Sequence, residues 1–358
     1  MKKLLIISQT QFGYHLDTYY YCKYLRDFFN ITYICWDYNY VKLNLANVKV
    51  KYISRKGTKI KRYLRFLFLT SKEIKRNPYD LCFIVYFRGC SILKIINPKE
   101  KIVLDIRTGC VGNKYYMRLF YNLLIKSESI FFQNITIISD GLVNLLKLDK
   151  ERVHILPLGA DVVSVNQKNF DSLNLLYVGK FNNRKIEKTI KGFERFYLKY
   201  KDEISIKYTI IGYAIEEAVN KLRKCIANSK SKNAISFVGK VPHNQLKDFF
   251  DTHNIGVSFI PIVEYYDCQP ATKTFEYILS GMPTIATETT ENKKVVNETN
   301  GILIKDNIQD FFEGLVKIYN NRKLYNSERI RETCKAYTWG NIILNNLKKY
   351  LDSLIVNK

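Results

Sequence analysis

Several features that would direct this sequence to other classes of protein are missing. No apolar run approaches the roughly 18 residues that a membrane-spanning helix needs. The apolar start of the chain stops at Ile7 without a small-residue cleavage site, so we expect no secretory signal. None of the eight cysteines forms a CxxC pair, and most lie inside apolar runs, which favours reduced core residues over disulfides or a metal site. We therefore expect a cytoplasmic protein.

Acidic residues are also scarce relative to basic ones. The chain has 57 Lys and Arg against 33 Asp and Glu, a net charge of +24. Residues 1–165 hold 27 basic and 12 acidic residues, and residues 49–76 hold eleven basic residues with Glu73 as the one acid. Such a field favours an anionic partner, namely phosphates, a membrane surface or nucleic acid, with a merely solubilising surface as the alternative.

Strand-length apolar runs alternate with segments of helical period along most of the chain. This alternation predicts an α/β protein with parallel sheets and crossover helices. At 358 residues the chain exceeds one ordinary core, and a polar stretch at 162–172 separates two such series. We predict two Rossmann-like domains facing a cleft, at residues 1–165 and 170–335.

The most distinctive segment is 267–283, which reads DCQPATKTFEYILSGMP. A proline ahead and Gly-Met-Pro behind predict a helix over Ala271–Ser280. The free amides at its start, with Lys273 beside them, predict a phosphate site. Glu276 lies three residues further on the same face, where it would accept hydrogen bonds from ribose hydroxyls. The alternative is an ordinary amphipathic helix with an ion pair.

Glycines follow three predicted strands of the second series. They are Gly179, Gly212 and Gly239, and the first is followed by the cations Lys180 and Arg184. Ligands of parallel sheets bind at the carboxyl ends of the strands. Two cations there would neutralise a diphosphate leaving group as its charge develops, although basic loops are also common without function.

This ordered set resembles the family 4 retaining glycosyltransferases of the GT-B fold, the glycosyl transferases group 1. The likeness rests on Leu-Tyr-Val-Gly-Lys, Ile-Ile-Gly, Phe-Val-Gly-Lys-Val-Pro and Pro-Ala-Thr-Lys-Thr-Phe-Glu-Tyr-Ile-Leu-Ser-Gly-Met-Pro, in that order. Upstream, Leu156–Asp161 is similar to the family's Pro-Asn-Gly-Val-Asp. Downstream, Trp339 precedes a terminal helix, expected over 338–355, that in some members crosses back onto the first domain. The likeness is close in the C-terminal half and looser in the N-terminal half.

The resemblance implies an enzyme that transfers a hexosyl group from a UDP- or GDP-sugar to a glycan or lipid-linked acceptor, as in bacterial surface polysaccharide or lipopolysaccharide assembly. It places Lys180 and Arg184 on the donor phosphates, with Lys185 as a substitute because the loop is short. The family's second glutamate is replaced by Cys268, which leaves the donor sugar and the activity open. The donor-binding residues so predicted are Gly179, Gly212, Tyr213, Val241, Gln269, Pro270, Ala271, Thr272, Lys273 and Glu276.

In the first domain the resemblance indicates an acceptor side. Gly13 and His15 follow the first strand, where the family has a glycine loop near the reacting phosphate, and Arg107 follows a later strand. Asp105 is predicted to orient the acceptor hydroxyl, while a loop histidine and a structural Asp–Arg pair are the alternatives. No Asp-x-Asp motif occurs, so we expect neither a metal nor a cofactor. The predicted catalytic residues are Lys180, Arg184 and Asp105.

The basic segment 59–76 has helical spacing and suits an anionic membrane surface. Its apolar residues Ile60, Leu64, Leu67 and Ile74 can share one face, which would bring a lipid-linked acceptor to a protein peripheral on the inner membrane. Alternatively, this face packs on the sheet. Two rival functions are a nucleic-acid-binding protein and an inactive or epimerase homologue. We expect no nucleic acid, because the 27 tyrosines are scattered rather than set with basic residues in a recognisable module.

Overall fold

The computed structural model describes residues 1–112 and 114–356. The chain forms two compact units. Unit 1 comprises Met1–Gly159 and the terminal segment from Trp339 onward, and unit 2 comprises Ala160–Thr338. The chain thus enters unit 2 ahead of the polar stretch that the sequence marks as a linker.

Unit 1 is built on one parallel sheet with helices between the strands. Its strands are β1 (Lys2–Ile7), β2 (Phe29–Asp37), β3 (Val48–Ser54), β4 (Leu81–Val85), β5 (Ile102–Ile106), β6 (Asn134–Ile137) and β7 (Val153–Ile155). Its helices before the terminal segment are α1 (Leu16–Leu25), α2 (Lys59–Arg76), α3 (Ser91–Ile96), α4 (Tyr115–Ser129) and α5 (Asp140–Leu146). The strand order is β3-β2-β1-β4-β5-β6-β7. The central strands are buried on both faces, which explains why their sequences are continuous apolar runs.

Unit 2 repeats this plan with six parallel strands. They are β8 (Ser172–Val178), β9 (Ser205–Ile211), β10 (Ile235–Gly239), β11 (Ile255–Ser258), β12 (Thr284–Thr287) and β13 (Gly301–Ile304). The helices are α6 (Glu187–Tyr200), α7 (Glu216–Ala227), α8 (Lys247–Thr252), α9 (Glu264–Asp267), α10 (Thr272–Leu279), α11 (Thr290–Lys293), α12 (Ile308–Asn321) and α13 (Ser327–Glu332). In the order β10-β9-β8-β11-β12-β13 the direction of winding reverses between β8 and β11. Ligands of doubly wound sheets bind at this switch point.

The terminal segment belongs to unit 1 and is held there by aromatic packing. It runs through α14 (Trp339–Ile342), a π-helical turn (Ile343–Leu347) and α15 (Lys348–Val356). The Trp339 ring is buried and stacks on Tyr20, with ring centroids 4.9 Å apart and planes 13° from parallel. A Cβ at Gly159 would lie 2.3 Å from Trp339, so only glycine admits the indole at this contact.

Helix α2 has more apolar surface than the sheet covers. Phe66, Leu67 and Ile74 are buried, whereas Ile60 and Leu64 are exposed. The apolar face predicted for this segment is therefore divided between the core and the solvent. In the described part of the chain, no helix has both the length and the apolar character needed to cross a membrane.

Candidate functional site

Three glycines bring the carboxyl ends of β8, β9 and β10 close together. The Gly179 amide donates to the Ile211 carbonyl at 2.9 Å, and the Gly212 amide donates to the Gly239 carbonyl at 2.8 Å. A Cβ at Gly212 would lie 1.9 Å from the Gly179 carbonyl oxygen. A side chain at this position would therefore force the strand ends apart, at the edge of the sheet where ligands bind.

Helix α10 follows β11 and presents its first turn beside β8. It begins at Thr272, with Ala271 as an N-cap that lacks a side-chain hydrogen bond, and it ends at Leu279. It is thus slightly shorter than the predicted Ala271–Ser280. The Lys273 Nζ in this first turn is shielded from solvent and lies 3.6 Å from the centroid of the Tyr177 ring.

The Lys273 ammonium has no hydrogen-bond partner among residues 1–112 and 114–356. Burial holds the pKa of Lys273 well below its usual range; the neighbouring Arg184 guanidinium lowers it further, and the Glu276 carboxylate opposes the shift. Arg184 itself lies over the Tyr266 ring, 3.8 Å from the centroid. Two basic side chains thus converge beside an uncapped helix start. Phosphate oxygens would favour the protonated form of Lys273 and would accept hydrogen bonds from it and from the amides.

Glu276 lies one turn deeper in α10 and is buried. Its Oε1 is 3.2 Å from His243 Nε2, and this hydrogen bond raises the pKa of His243 despite burial, with Asp161 contributing in the same direction. One ligand atom from each of Asp161, His243 and Glu276 lies within 4.8 Å of the other two. This trio could hold sugar hydroxyls or a divalent cation.

Sequence reasoning missed His243 and Asp161 as site residues. Both could have been found from the sequence, because His243 directly follows the Phe-Val-Gly-Lys-Val-Pro segment and Asp161 is the last residue of the Leu156–Asp161 segment. The stacking aromatics Tyr177 and Tyr266 carried no comparable signal.

Buried hydrogen bonds fix α10 in place. The Ser258 and Thr274 hydroxyls are 2.7 Å apart, and Thr274 donates to Asn292 Oδ1 at 3.0 Å. The Val178 amide donates to the Tyr277 hydroxyl at 2.7 Å. Because these bonds join α10 to β8 and to β11, Lys273 and Glu276 are held at a defined distance from the strand ends.

The remaining predicted donor residues lie just after β9, just after β10 and at the start of α10. Tyr213 is exposed, with Lys180 Nζ 5.7 Å and Lys240 Nζ 5.5 Å from its ring centroid. Val241 is half-buried and packs against an apolar cluster of unit 2. Gln269 donates to the Tyr265 carbonyl at 2.5 Å, just ahead of α10. The three residues between it and Lys273 are half-buried; they are Pro270, Ala271 and Thr272.

Cys268, which the resemblance places where the family has a second glutamate, is buried. Burial raises the pKa of its thiol to about 11, so the side chain stays neutral at physiological pH. It therefore supplies no charge in place of the carboxylate.

Asp105 and Arg107 of unit 1 form a closed network. Asp105 is fully buried and accepts from the Thr136 hydroxyl at 2.8 Å, and burial raises its pKa to about 7. Arg107 donates to Asp17 at 2.6 Å and to the Leu156 carbonyl at 2.7 Å. This geometry favours the structural Asp–Arg alternative over contact of Asp105 with an acceptor.

Gly13 and His15 lie in the loop between β1 and α1. Gly13 has φ +87°, and a Cβ there would lie 2.3 Å from Leu43, so the loop requires glycine. His15 is the N-cap of α1, where its Nδ1 accepts from the Thr18 amide at 3.5 Å. Burial lowers the pKa of His15. The neutral ring therefore caps the start of α1.

Comparison with known proteins adds to this geometry. Residues 172–321 match the family model of glycosyl transferases group 1. Sucrose-phosphate synthase from Thermosynechococcus elongatus is similar in structure, with a TM-score of 0.75 at 14% identity over 100% of both chains. HepE from Anabaena, solved in complex with UDP, has a TM-score of 0.75 at 12% identity over 99% of this chain and 100% of its own. WaaB, a lipopolysaccharide outer core galactosyltransferase, has a TM-score of 0.69 at 13% identity over 99% of both chains. None of the curated proteins matches this sequence significantly.

These likenesses, together with the two doubly wound sheets, define the class: the chain has the GT-B fold of glycosyltransferases. Within that class, residues 172–321 match the family model of the glycosyl transferases group 1. The resemblance and the α/β fold predicted from the sequence are thereby confirmed.

Proposed function

We propose that this protein is a metal-independent, retaining glycosyltransferase that uses a UDP- or GDP-sugar as donor and needs no cofactor. Its acceptor is a glycan or lipid-linked sugar in the assembly of a bacterial surface polysaccharide. The binding of UDP by HepE and the outer core activity of WaaB support the two halves of this proposal.

The observation that carries the proposal is the unpartnered Lys273 ammonium at the start of α10. A buried amine without a hydrogen bond is costly, so its retention beside Arg184 argues for an anionic ligand. Glu276, one turn deeper, would accept hydrogen bonds from the ribose of the same nucleotide. The spacing of cation and carboxylate on one helix thus matches the order of phosphate and ribose in a nucleoside diphosphate.

The reaction follows from charge and position. Lys180, Arg184 and Lys273 would neutralise the diphosphate as it leaves, and the diphosphate oxygen on the same face of the sugar would take the proton of the acceptor hydroxyl. This protein then contributes orientation and charge rather than a nucleophile. The neutral Cys268 thiol leaves recognition of the donor sugar to hydroxyl-binding groups such as those of His243 and Asp161.

The acceptor proposal rests on the charge of unit 1. Eleven basic residues in 49–76 and the exposed apolar side chains of α2 suit an anionic membrane surface, where a lipid-linked acceptor would be found. We place the protein in the cytoplasm, peripheral on the inner membrane.

A thermal-shift experiment with UDP, GDP, ADP and CMP, each with and without EDTA, tests the donor site. We expect one diphosphate to raise Tm, equally in EDTA, and Glu276→Ala to abolish this shift. Glu313→Ala, an exposed glutamate on α12, is the matched control and should respond like the wild type. No shift with any nucleotide would refute the donor site.

Transfer is tested separately by release of the diphosphate in the presence of membrane lipid extracts and glycan acceptors. Nucleotide binding without turnover would identify an inactive binding homologue. Turnover of the sugar without any acceptor would identify an epimerase. A shift that EDTA removes would mean that the Asp161–His243–Glu276 trio holds a metal.

A further inference from the structure

Unit 1 contains a pocket of about 450 Å³ at the carboxyl ends of its first strands. Its floor is aromatic, with Trp36 at the end of β2 and Tyr38 just beyond it. Its rim is basic and is formed by Arg55, which follows β3, and by Lys59 and Arg62 in the first turns of α2. The donor residues described above take no part in it, because all of them lie in unit 2.

The three cations of this rim have no carboxylate partner in the described ranges of the chain. Glu73, the one acidic residue in segment 49–76, is paired with Lys51 at 2.5 Å. The Arg55 guanidinium lies 3.9 Å from the centroid of the Tyr38 ring. An uncompensated charge of this size over an aromatic floor selects a ligand with two or more negative charges.

Hydrogen bonds shape the pocket in advance of any ligand. Arg65 donates to the carbonyls of Ser54 and Lys56, at 3.0 and 2.9 Å, and so fixes the loop that carries Arg55. Gln11 accepts from the Tyr38 amide at 2.8 Å, which ties the floor to the β1–α1 loop where the acceptor side is predicted.

An apolar stripe leads away from the same pocket. Ile60, Leu64 and Phe68 are spaced by four along α2 and are 73%, 58% and 65% exposed. Ile60 and Leu64 also line the pocket, so the basic rim and the stripe meet without a break. A basic pocket that continues into an apolar stripe is complementary to an amphiphile with an anionic head and an aliphatic chain.

We propose that the pocket binds the phosphate or diphosphate of a lipid-linked acceptor, with its aliphatic chain lying along Ile60, Leu64 and Phe68. The inference rests on the proposed function and names the acceptor class. A neutral glycan would leave the three cations without a partner. The head of the acceptor is thereby anchored in unit 1, independently of the nucleotide.

The test uses geranyl diphosphate as the probe and the full chain. UDP or GDP, whichever stabilises the wild type, is present at saturation so that the donor site is filled. Binding is measured by calorimetry. We expect Arg62→Ala to weaken binding about tenfold, the effect of one lost charge-assisted hydrogen bond. Arg76→Ala, at the far end of the same helix, is the control and should bind normally. Leu64→Ser should bring the affinity for geranyl diphosphate down toward that for inorganic pyrophosphate.

Two results would overturn the proposal. One is the absence of geranyl diphosphate binding, and the other is an equal effect of Arg62→Ala and Arg76→Ala. If phosphatidylglycerol vesicles bind but geranyl diphosphate does not, the surface is a general membrane patch and the acceptor pocket is refuted. The thermal shifts induced by UDP and by GDP are recorded for each variant. The absence of a shift with both nucleotides in the wild type would refute the donor site alone.

Discussion

Replacing Lys273 by methionine should have opposite effects on the free protein and on its complex with a nucleoside diphosphate. Methionine has nearly the same length and keeps the contact with the Tyr177 ring, but it lacks the amine. In the free protein the substitution removes a buried donor that has no partner in the described chain. In the complex it removes a charge from the phosphate site.

Both magnitudes follow from the burial of the Nζ atom. An unsatisfied buried polar group costs about 1–3 kcal/mol, so the variant should gain that much in the free energy of unfolding of unit 2. For a unit of this size Tm rises by about 2–4 °C per kcal/mol. A hydrogen bond to a charged group contributes about 1.5–3 kcal/mol, so the Kd for the diphosphate should rise about 10- to 100-fold.

The assay combines thermal unfolding of the free protein with calorimetric titration of UDP or GDP, whichever stabilises the wild type. Lys224→Met, an exposed lysine on α7, is the control and should change neither quantity. A Lys273→Met variant with lower Tm and unchanged Kd would mean that the ammonium has a structural role. The reasoning from the unpaired amine would then be refuted.

Three further predictions concern the framework of the two units. The hydrogen bond to Glu276 raises the pKa of His243 above 6.5. The contribution of this hydrogen bond to the stability of unit 2 is therefore complete below pH 6.5, and it is lost as the pH rises through the raised pKa. His243→Asn should therefore lower Tm at pH 6 and have little effect at pH 9. Gly212→Ala should destabilise unit 2 by about 1–3 kcal/mol in urea unfolding, because its Cβ would clash with the Gly179 carbonyl. Trp339→Ala should destabilise unit 1 by about 3–5 kcal/mol, the cost of removing a large buried ring, as measured in the same way.

Matched variants separate these effects from general damage. The ring nitrogens of His253 contact the Phe249 carbonyl and the Thr209 hydroxyl instead of Glu276, and burial lowers its pKa. His253→Asn should therefore not reproduce the pH dependence of His243→Asn. Gly112→Ala, where the nearest atom is 3.7 Å from the added Cβ, should be close to neutral. A stable Gly212→Ala or Trp339→Ala variant would contradict the packing described for these residues.

The sequence predicted the second unit better than the first. In unit 2 the glycines at strand ends and the helix with Lys273 and Glu276 are local patterns, since each depends on the chemistry of a few consecutive residues. The burial of Lys273 Nζ against Tyr177 depends instead on β8 and α10 meeting, which no local pattern contains. The same holds for the His243–Glu276 hydrogen bond, which joins residues 33 apart.

In unit 1 the difficulty was to distinguish a buried polar residue from a functional one. Asp105 and Arg107 end a strand, where acceptor-side residues are expected, yet Thr136 and Asp17 take up their hydrogen bonds. Their partners come from other elements, so the sequence left both alternatives open. For α2 the helix was predictable, but the portion of its apolar arc that the sheet would cover was not.

The ends of unit 2 lie beside each other: Ala160 donates its amide to the Tyr337 carbonyl at 2.9 Å and pairs with Thr338. Unit 2 is therefore an insertion into unit 1, entered and left at one place. During synthesis unit 2 leaves the ribosome before the terminal helix of unit 1 does. Unit 2 can therefore fold before all of unit 1 has been made. The same adjacency makes residues 160–338 a natural fragment to excise. Because Gly159 contacts Trp339, a short peptide could close the gap left behind.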